Sequence, residues 1–207
     1  MIISSLHKFI FAAIPKTGTH SVRQALREHI GPDDLEQVRL FTEKRLPIPE
    51  LAQLGHGHIT LQQLRPFMKP DEFDGFFKFA FVRNPFDRFV SFCSFMTRQT
   101  DAFQRDPKSV MKHILFIAPP NDMIVFQPQH IFVTDGEGEL LSDYVGRVEQ
   151  MQQSYDQICA RIGIPTRPLD KINTSQRGDY RQYYDEQLIG GIRQRYGRDL
   201  ELFGYDF

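Results

Sequence analysis

The stretch "FIFAAIPKTGTHSVRQAL", residues 9–26, passes from an apolar, β-favouring run through a polar turn into a helical pattern. Taken back two residues, "HKFIFAAI" (7–14) has the continuous apolar character of a parallel strand buried on both faces, and Pro15 ends it. Val22, Ala25, Leu26 and Ile30 then recur at helical spacing, with Gly31 and Pro32 closing the helix. The same unit returns downstream. "GFFKFAFVRN" (75–84) is β-like, and "PFDRFVSFCSFM" opens on Pro85 and carries Phe86, Phe89, Val90, Cys93 and Phe95 on one apolar face. Strands alternating with helices predict an α/β fold, with a central parallel sheet flanked by helices.

The remaining segments fill in around these two units. "LPIPELAQLGHGHITLQQLRPFM" (46–68) reads as a loop, a short strand around "GHGHIT" and a helix starting near Thr60. "DPKSVMKHILFI" is a helix candidate, and "QHIFVTD" and "LLSDYVGRVE" around "GEGE" read as a hairpin. "EQMQQSYDQICARIG" is an amphipathic helix, and "YRQYYDEQLIGGIRQRYGRDLELFGYDF" a helix with an aromatic tail. No repeat or low-complexity linker interrupts the 207 residues, so the expectation is one domain over 1–207.

Composition excludes several classes. A net charge of −1 gives the whole chain no electrostatic reason to hold nucleic acid or an anionic membrane, so any anion site is local. With 19 Phe and no Trp, the core is expected to be rich in phenylalanine. Cys93 and Cys159 are far apart, show no metal-ligand spacing and suit a reducing compartment. "FIFAAI" is well short of the roughly 18 residues of a membrane span, and no signal-peptide pattern precedes it. The expectation is a cytoplasmic protein without a membrane anchor.

Two stretches carry chemistry. "PKTGTHS" (15–21) sits where a strand gives way to a helix, where free backbone N–H groups and the helix dipole make an anion site. Gly18 permits close backbone approach, Thr17, Thr19 and Ser21 offer hydroxyls, and Lys16 supplies a point charge. The Walker spacing is missing, because no glycine precedes the lysine at the required interval. Taken alone, the stretch is equally well a polar turn with a surface lysine. In "FKFAFVRNPFDRFVSF" (77–92), Arg83 stands at the carboxyl end of a strand, and Ser91 lies two turns into the next helix. An Arg fork with a hydroxyl receives phosphate well, although Arg83 can instead pair with Asp87 or cap the helix.

"AAIPKTGTHSVRQAL" resembles the 5′-phosphosulfate loop of sulfotransferases, and "FAFVRNPFDRFVSF" resembles their R-x-P-x-x-R-x-x-S 3′-phosphate motif. The likeness continues through 144–165 and 172–207, where the chain is similar to Golgi-type carbohydrate sulfotransferases and their soluble bacterial relatives; residues 32–54 and 97–127 match least. The resemblance implies a P-loop-kinase-like sulfotransferase fold. It also implies 3′-phosphoadenosine 5′-phosphosulfate (PAPS) as the donor and a hydroxyl on a glycan as the acceptor, with no metal. Lys16 would neutralise the leaving nucleotide. Pro15, Lys16, Thr17, Gly18, Thr19, His20 and Ser21 would hold the 5′-phosphate, and Arg83 and Ser91 the 3′-phosphate. Arg177, in "NTSQRGDY" (173–180), would be a further phosphate contact, although a solvated loop is the simpler account of it. "GHGHIT" resembles the H-G-H segment of heparan-type 2-O-sulfotransferases, which makes His58 the base and His56 its support.

Some positions stay open. His56 and His58 lack a third ligand for a metal site, a purely structural role is the competing reading of either, and Glu149 either orients a reacting group or caps a helix. His20 departs from the family pattern, which has a small hydroxyl residue there. The alternatives to a sulfotransferase are a nucleotide-dependent kinase with an atypical phosphate loop and a non-catalytic nucleotide-binding module.

Overall fold

The computed structural model describes residues 1–39, 43–170 and 178–207. In chain order these form β1 (Ile2–Ser4), β2 (Phe9–Ala12), α1 (Thr19–Arg27), β3 (Leu35–Glu36), α2 (Pro49–Ala52), α3 (Leu61–Leu64), α4 (Pro70–Gly75), β4 (Phe77–Val82), α5 (Pro85–Met96), α6 (Ala102–Arg105), α7 (Pro107–Lys112), β5 (Tyr144–Arg147), α8 (Met151–Ile162) and α9 (Glu186–Phe203), joined by 3₁₀ turns and one π-helical turn, His113–Ile117. The α/β class expected from the sequence is present. No helix among the described residues is long and apolar enough to cross a membrane.

The chain divides into two compact units, Met1–Val82 with Ile131–Asn173 and Arg83–His130 with Thr174–Phe207. The first is built on a five-stranded sheet of order β3-β1-β2-β4-β5. β2, β4 and β5 run parallel, with Phe11 opposite Phe79 and Ala80 opposite Val145. β1 opposes both of its neighbours. The parallel centre expected from the sequence is thus present, and β1 and β3 extend it by antiparallel pairing on one side. A three-residue strand made by "IIS" has too little periodicity to announce itself.

Strand alternation explains the core. Phe9, Phe11, Phe79 and Phe81 point to one face, where Val22, Ala25 and Leu26 of α1 and Tyr155, Ile158, Cys159 and Ile162 of α8 cover them. The Phe11 and Phe79 rings stack with centroids 5.3 Å apart. Ala12, Ala80 and Val82 are buried from the opposite side, so these strands lack the polar alternation of a half-exposed sheet.

Two local expectations fail. Residues 55–59 form no strand: Gly55 takes φ +69°, and the segment turns instead of extending. The hairpin reduces to one antiparallel bridge between Thr134 and Leu140 across a tight turn, because "YVGR" pairs parallel with β4.

The second unit is helical and aromatic. Asn84 caps α5 by accepting from the Phe86 N–H at 3.0 Å, and Pro85 suits the first turn. Phe86 then packs edge-on against Tyr184 and Phe207, so the C-terminal aromatic tail closes this core. The Tyr184 hydroxyl donates to the Phe86 carbonyl at 2.7 Å, which satisfies its polar atom inside an apolar cluster.

Candidate active site

In the first unit, β2 delivers the chain to Ile14 and Pro15, both buried, and the backbone then becomes left-handed at Lys16 (φ +67°) and Gly18 (φ +70°). Glycine adopts that conformation freely, whereas a lysine in it costs about 1 kcal/mol. Strain of this kind persists where the surroundings impose it, and it collects at functional loops. A Cβ at Gly18 would lie 2.6 Å from the Met151 methyl, so the loop also sits tightly on α8. α1 begins immediately after, at Thr19, and its N-terminal amides carry the positive end of the helix dipole.

The hydroxyls divide. Thr17 is fully buried and donates to the Ile14 carbonyl at 2.9 Å, so its proton fastens the loop and is not offered to a ligand, a correction to the role read for that side chain. Thr19 and Ser21 lie in the first turn of α1, nearly buried. His20 is half-buried, and burial, then Arg23, Arg27 and Lys16, push its pKa down. A neutral imidazole therefore occupies the position where a hydroxyl was expected.

His58 lies against this loop's own strand. Its Nδ1 donates to the Ala13 carbonyl at 2.7 Å, three residues before Lys16. That bond fixes the tautomer: Nδ1 carries the proton, and Nε2 keeps its lone pair as an acceptor. His56 takes the opposite tautomer, because its Nδ1 accepts the His58 backbone N–H at 3.3 Å and leaves the proton on Nε2. The rings are 6.1 Å apart, centroid to centroid. The pair thus presents one acceptor and one donor.

Burial pushes the His58 pKa down to about 3, helped by the positive charges of the chain terminus and Arg23. The unfolded imidazole takes its proton near 6.5 and the folded one only near 3, so within that window the unfolded state binds more protons. His58 thus contributes stability that is complete above pH 6.5 and is lost as pH falls towards 3. Denaturant unfolding between pH 4 and 6 should show His58→Gln reducing the pH slope of stability by one proton, about 1.4 kcal/mol per pH unit. An unchanged slope would mean that the imidazole is not held neutral.

The segment bearing these histidines is held by residues that the sequence reading passed over. Arg23, on α1 and 2% exposed, donates from Nη2 to the Gly57 carbonyl at 3.0 Å and from Nη1 to the Gln37 carbonyl at 3.0 Å and Glu36 Oε1 at 3.2 Å. Gln37 donates from Nε2 to the carbonyls of Leu51 (2.8 Å) and His56 (2.7 Å). A Cβ at Gly57 would lie 2.0 Å from the Gln37 oxygen, so only glycine fits between the histidines. The available signal was that Arg23 precedes Leu26 by one helical turn and so flanks the apolar stripe.

In the second unit Arg83 follows the last residue of β4. Its Nε and Nη2 both reach Asp87 Oδ2, at 2.6 Å and 2.5 Å, so the simpler of the two sequence readings is realised. The Gln129 amide clamps the Arg83 backbone, accepting from its N–H and donating to its carbonyl, both at 2.9 Å. The buried Asp199 carboxylate in turn accepts from the backbone N–H groups of Gln129 and His130 and from His130 Nδ1, at 2.7 to 2.8 Å. Arg88, the second arginine of the motif, is 3% exposed and donates to the Val125 carbonyl, so it works inside the fold. Ser91 is half-buried on α5. Glu149 is exposed in the 3₁₀ turn Val148–Gln150 before α8, and Arg177 lies outside the described residues.

A family model described as "Sulfotransferase family" matches residues 1–115, more than half of the 207. No curated protein and no solved structure matches the chain.

Proposed function

Because this chain belongs to the sulfotransferase family, we propose that it moves the sulfuryl group of PAPS in line to a hydroxyl of a glycan, with residues 1–207 as one sulfotransferase domain. The observation that carries the reading is the His58 ring, whose Nδ1 donates to the carbonyl of Ala13, between β2 and the Lys16 loop, and whose Nε2 keeps its lone pair. In the reaction, the acceptor hydroxyl gives its proton to His58 Nε2 as its oxygen bonds to sulfur. The bond from sulfur to the bridging oxygen breaks, and adenosine 3′,5′-bisphosphate leaves with the electron pair. Lys16 faces the charge that grows on that oxygen, and the loop from Pro15 to Ser21 holds the 5′-phosphate through its backbone amides and the α1 dipole.

Arg83 and Ser91 take the 3′-phosphate in this reading, with Arg83 exchanging part of its contact with Asp87 for the ligand. Support comes from the order of the two motifs, each at the carboxyl end of a parallel strand, where open α/β sheets bind ligands. A glycan acceptor, and a relationship to the heparan 2-O-type enzymes, rest on the H-G-H segment.

The test is incubation with PAPS labelled in its sulfur and a mixture of desulfated glycosaminoglycans. Label should enter the glycan fraction, with adenosine 3′,5′-bisphosphate released in equal amount. Magnesium-dependent transfer of the γ-phosphate from ATP, with PAPS left unconsumed, would replace this reading by the kinase alternative.

A further inference from the structure

We propose that Arg23 is a positioning residue for the base: its guanidinium ties the Gly57 carbonyl to α1 and thereby holds His58 in its working tautomer beside the phosphate loop. The inference rests on the reading of His58 as the base. One rigid fork serves three elements. From α1 it reaches the carbonyl between the two histidines, the Gln37 carbonyl and the Glu36 carboxylate at the end of β3. Glu36 is itself buried and also receives Arg27, from Nε at 3.0 Å and Nη2 at 2.9 Å, so the charge is compensated and the cluster is fixed from the acidic side.

The geometry goes beyond support of the fold. α1 is the helix whose N-terminus receives the donor phosphate in the proposed reaction, and Arg23 lies one turn along it from Thr19. The 55–59 segment is neither helix nor strand, so it has no ladder of its own to set its position. Its placement comes from Arg23 and the Met1 amine, which both donate to the Gly57 carbonyl, from Gln37 on His56 and from Ala13 on the His58 ring. Arg23 alone among these runs from the phosphate-binding helix to the residue next to the base. A lysine there keeps the charge but cannot reproduce a planar fork with several directed donors.

The experiment compares wild type, Arg23→Lys, Arg23→Gln and His58→Gln. Nitrogen-15 NMR of the histidine rings reports the His58 tautomer, calorimetry with adenosine 3′,5′-bisphosphate reports donor-site affinity, and PAPS turnover on the desulfated glycosaminoglycan mixture gives kcat. Wild type should show a single Nδ1–H tautomer. Arg23→Lys should give a mixture of tautomers and a kcat lowered about 10- to 100-fold, with nucleotide affinity within about threefold of wild type. Arg23→Gln should give the same signature; should it fail to fold, Arg23→Lys, which keeps a cation on Glu36, decides the matter. An Arg23→Lys protein with the wild-type tautomer and kcat would overturn the proposal. So would a loss of nucleotide affinity equal to the loss of kcat, since that marks a general structural role. If His58→Gln turns over as fast as wild type, the base reading fails, whereas the tautomer readout still judges Arg23.

Discussion

Replacing Lys16 with methionine should lower the proposed sulfuryl transfer about a thousandfold, while the protein still folds. As the bond from sulfur to the bridging oxygen breaks, about one negative charge accumulates on an oxygen that was nearly neutral, and a cation placed there stabilises the transition state far more than the bound donor. Removing one preorganised donor at such a position costs on the order of 10²–10³ in kcat, and a full charge lies at the upper end. Backbone strain adds a second signature. Lys16 occupies φ +67°, which costs a non-glycine residue about 1 kcal/mol, so Lys16→Gly should raise stability by about that amount while losing the same activity. A melting temperature that rises as kcat collapses separates a functional loop from a structural one. Retained kcat in either variant would remove Lys16 from the mechanism.

His58→Gln should cost about 10²–10⁴ in kcat, the usual contribution of a positioned general base. The low pKa of His58 shapes the rest of the prediction. An imidazole held down to about 3 keeps its lone pair across the physiological range but is a poor proton acceptor in the free protein. Binding of an anionic donor beside it favours the imidazolium and raises the pKa, which brings the base into a useful range only when the donor is present. The acid limb of kcat/KM, which reports the free protein, should therefore show no His58 inflection between pH 5 and 8. The acid limb of kcat should inflect at higher pH than the limb of kcat/KM and vanish in His58→Gln. Coincident limbs would mean that donor charge does not reach this histidine.

Much of this was legible in the sequence, for identifiable reasons. The two strand-to-helix junctions could be read because their strands are largely apolar and their helices begin just after Gly18 and at Pro85. The sequence reads "GHGHIT" (55–60) as a short strand, but Gly55 uses its freedom to turn, and the segment is held by side chains instead of a ladder. β1 escaped because three residues carry no period. β5 was misplaced because a tight turn at 135–139 imitates a hairpin while the pairing partner, β4, is more than fifty residues away.

Within the candidate site, residue types that bear chemistry could be found, but their partners could not. Thr17 looked like a ligand hydroxyl and serves its own loop, and Arg83 looked like a phosphate receptor and holds Asp87. Arg23 and Gln129 read as ordinary polar residues, because what they do depends on backbone carbonyls brought close only by folding.

The proposed reaction requires that the protein recognise the 3′-phosphate of its donor, a role given to Arg83 and Ser91. Calorimetric titration of adenosine 3′,5′-bisphosphate against adenosine 5′-phosphate tests it most directly. The bisphosphate should bind about 100-fold tighter, worth about 3 kcal/mol for an arginine and a hydroxyl on one phosphate, with the gap closing in Arg83→Ala. Equal affinities for the two nucleotides in the wild-type protein would contradict it.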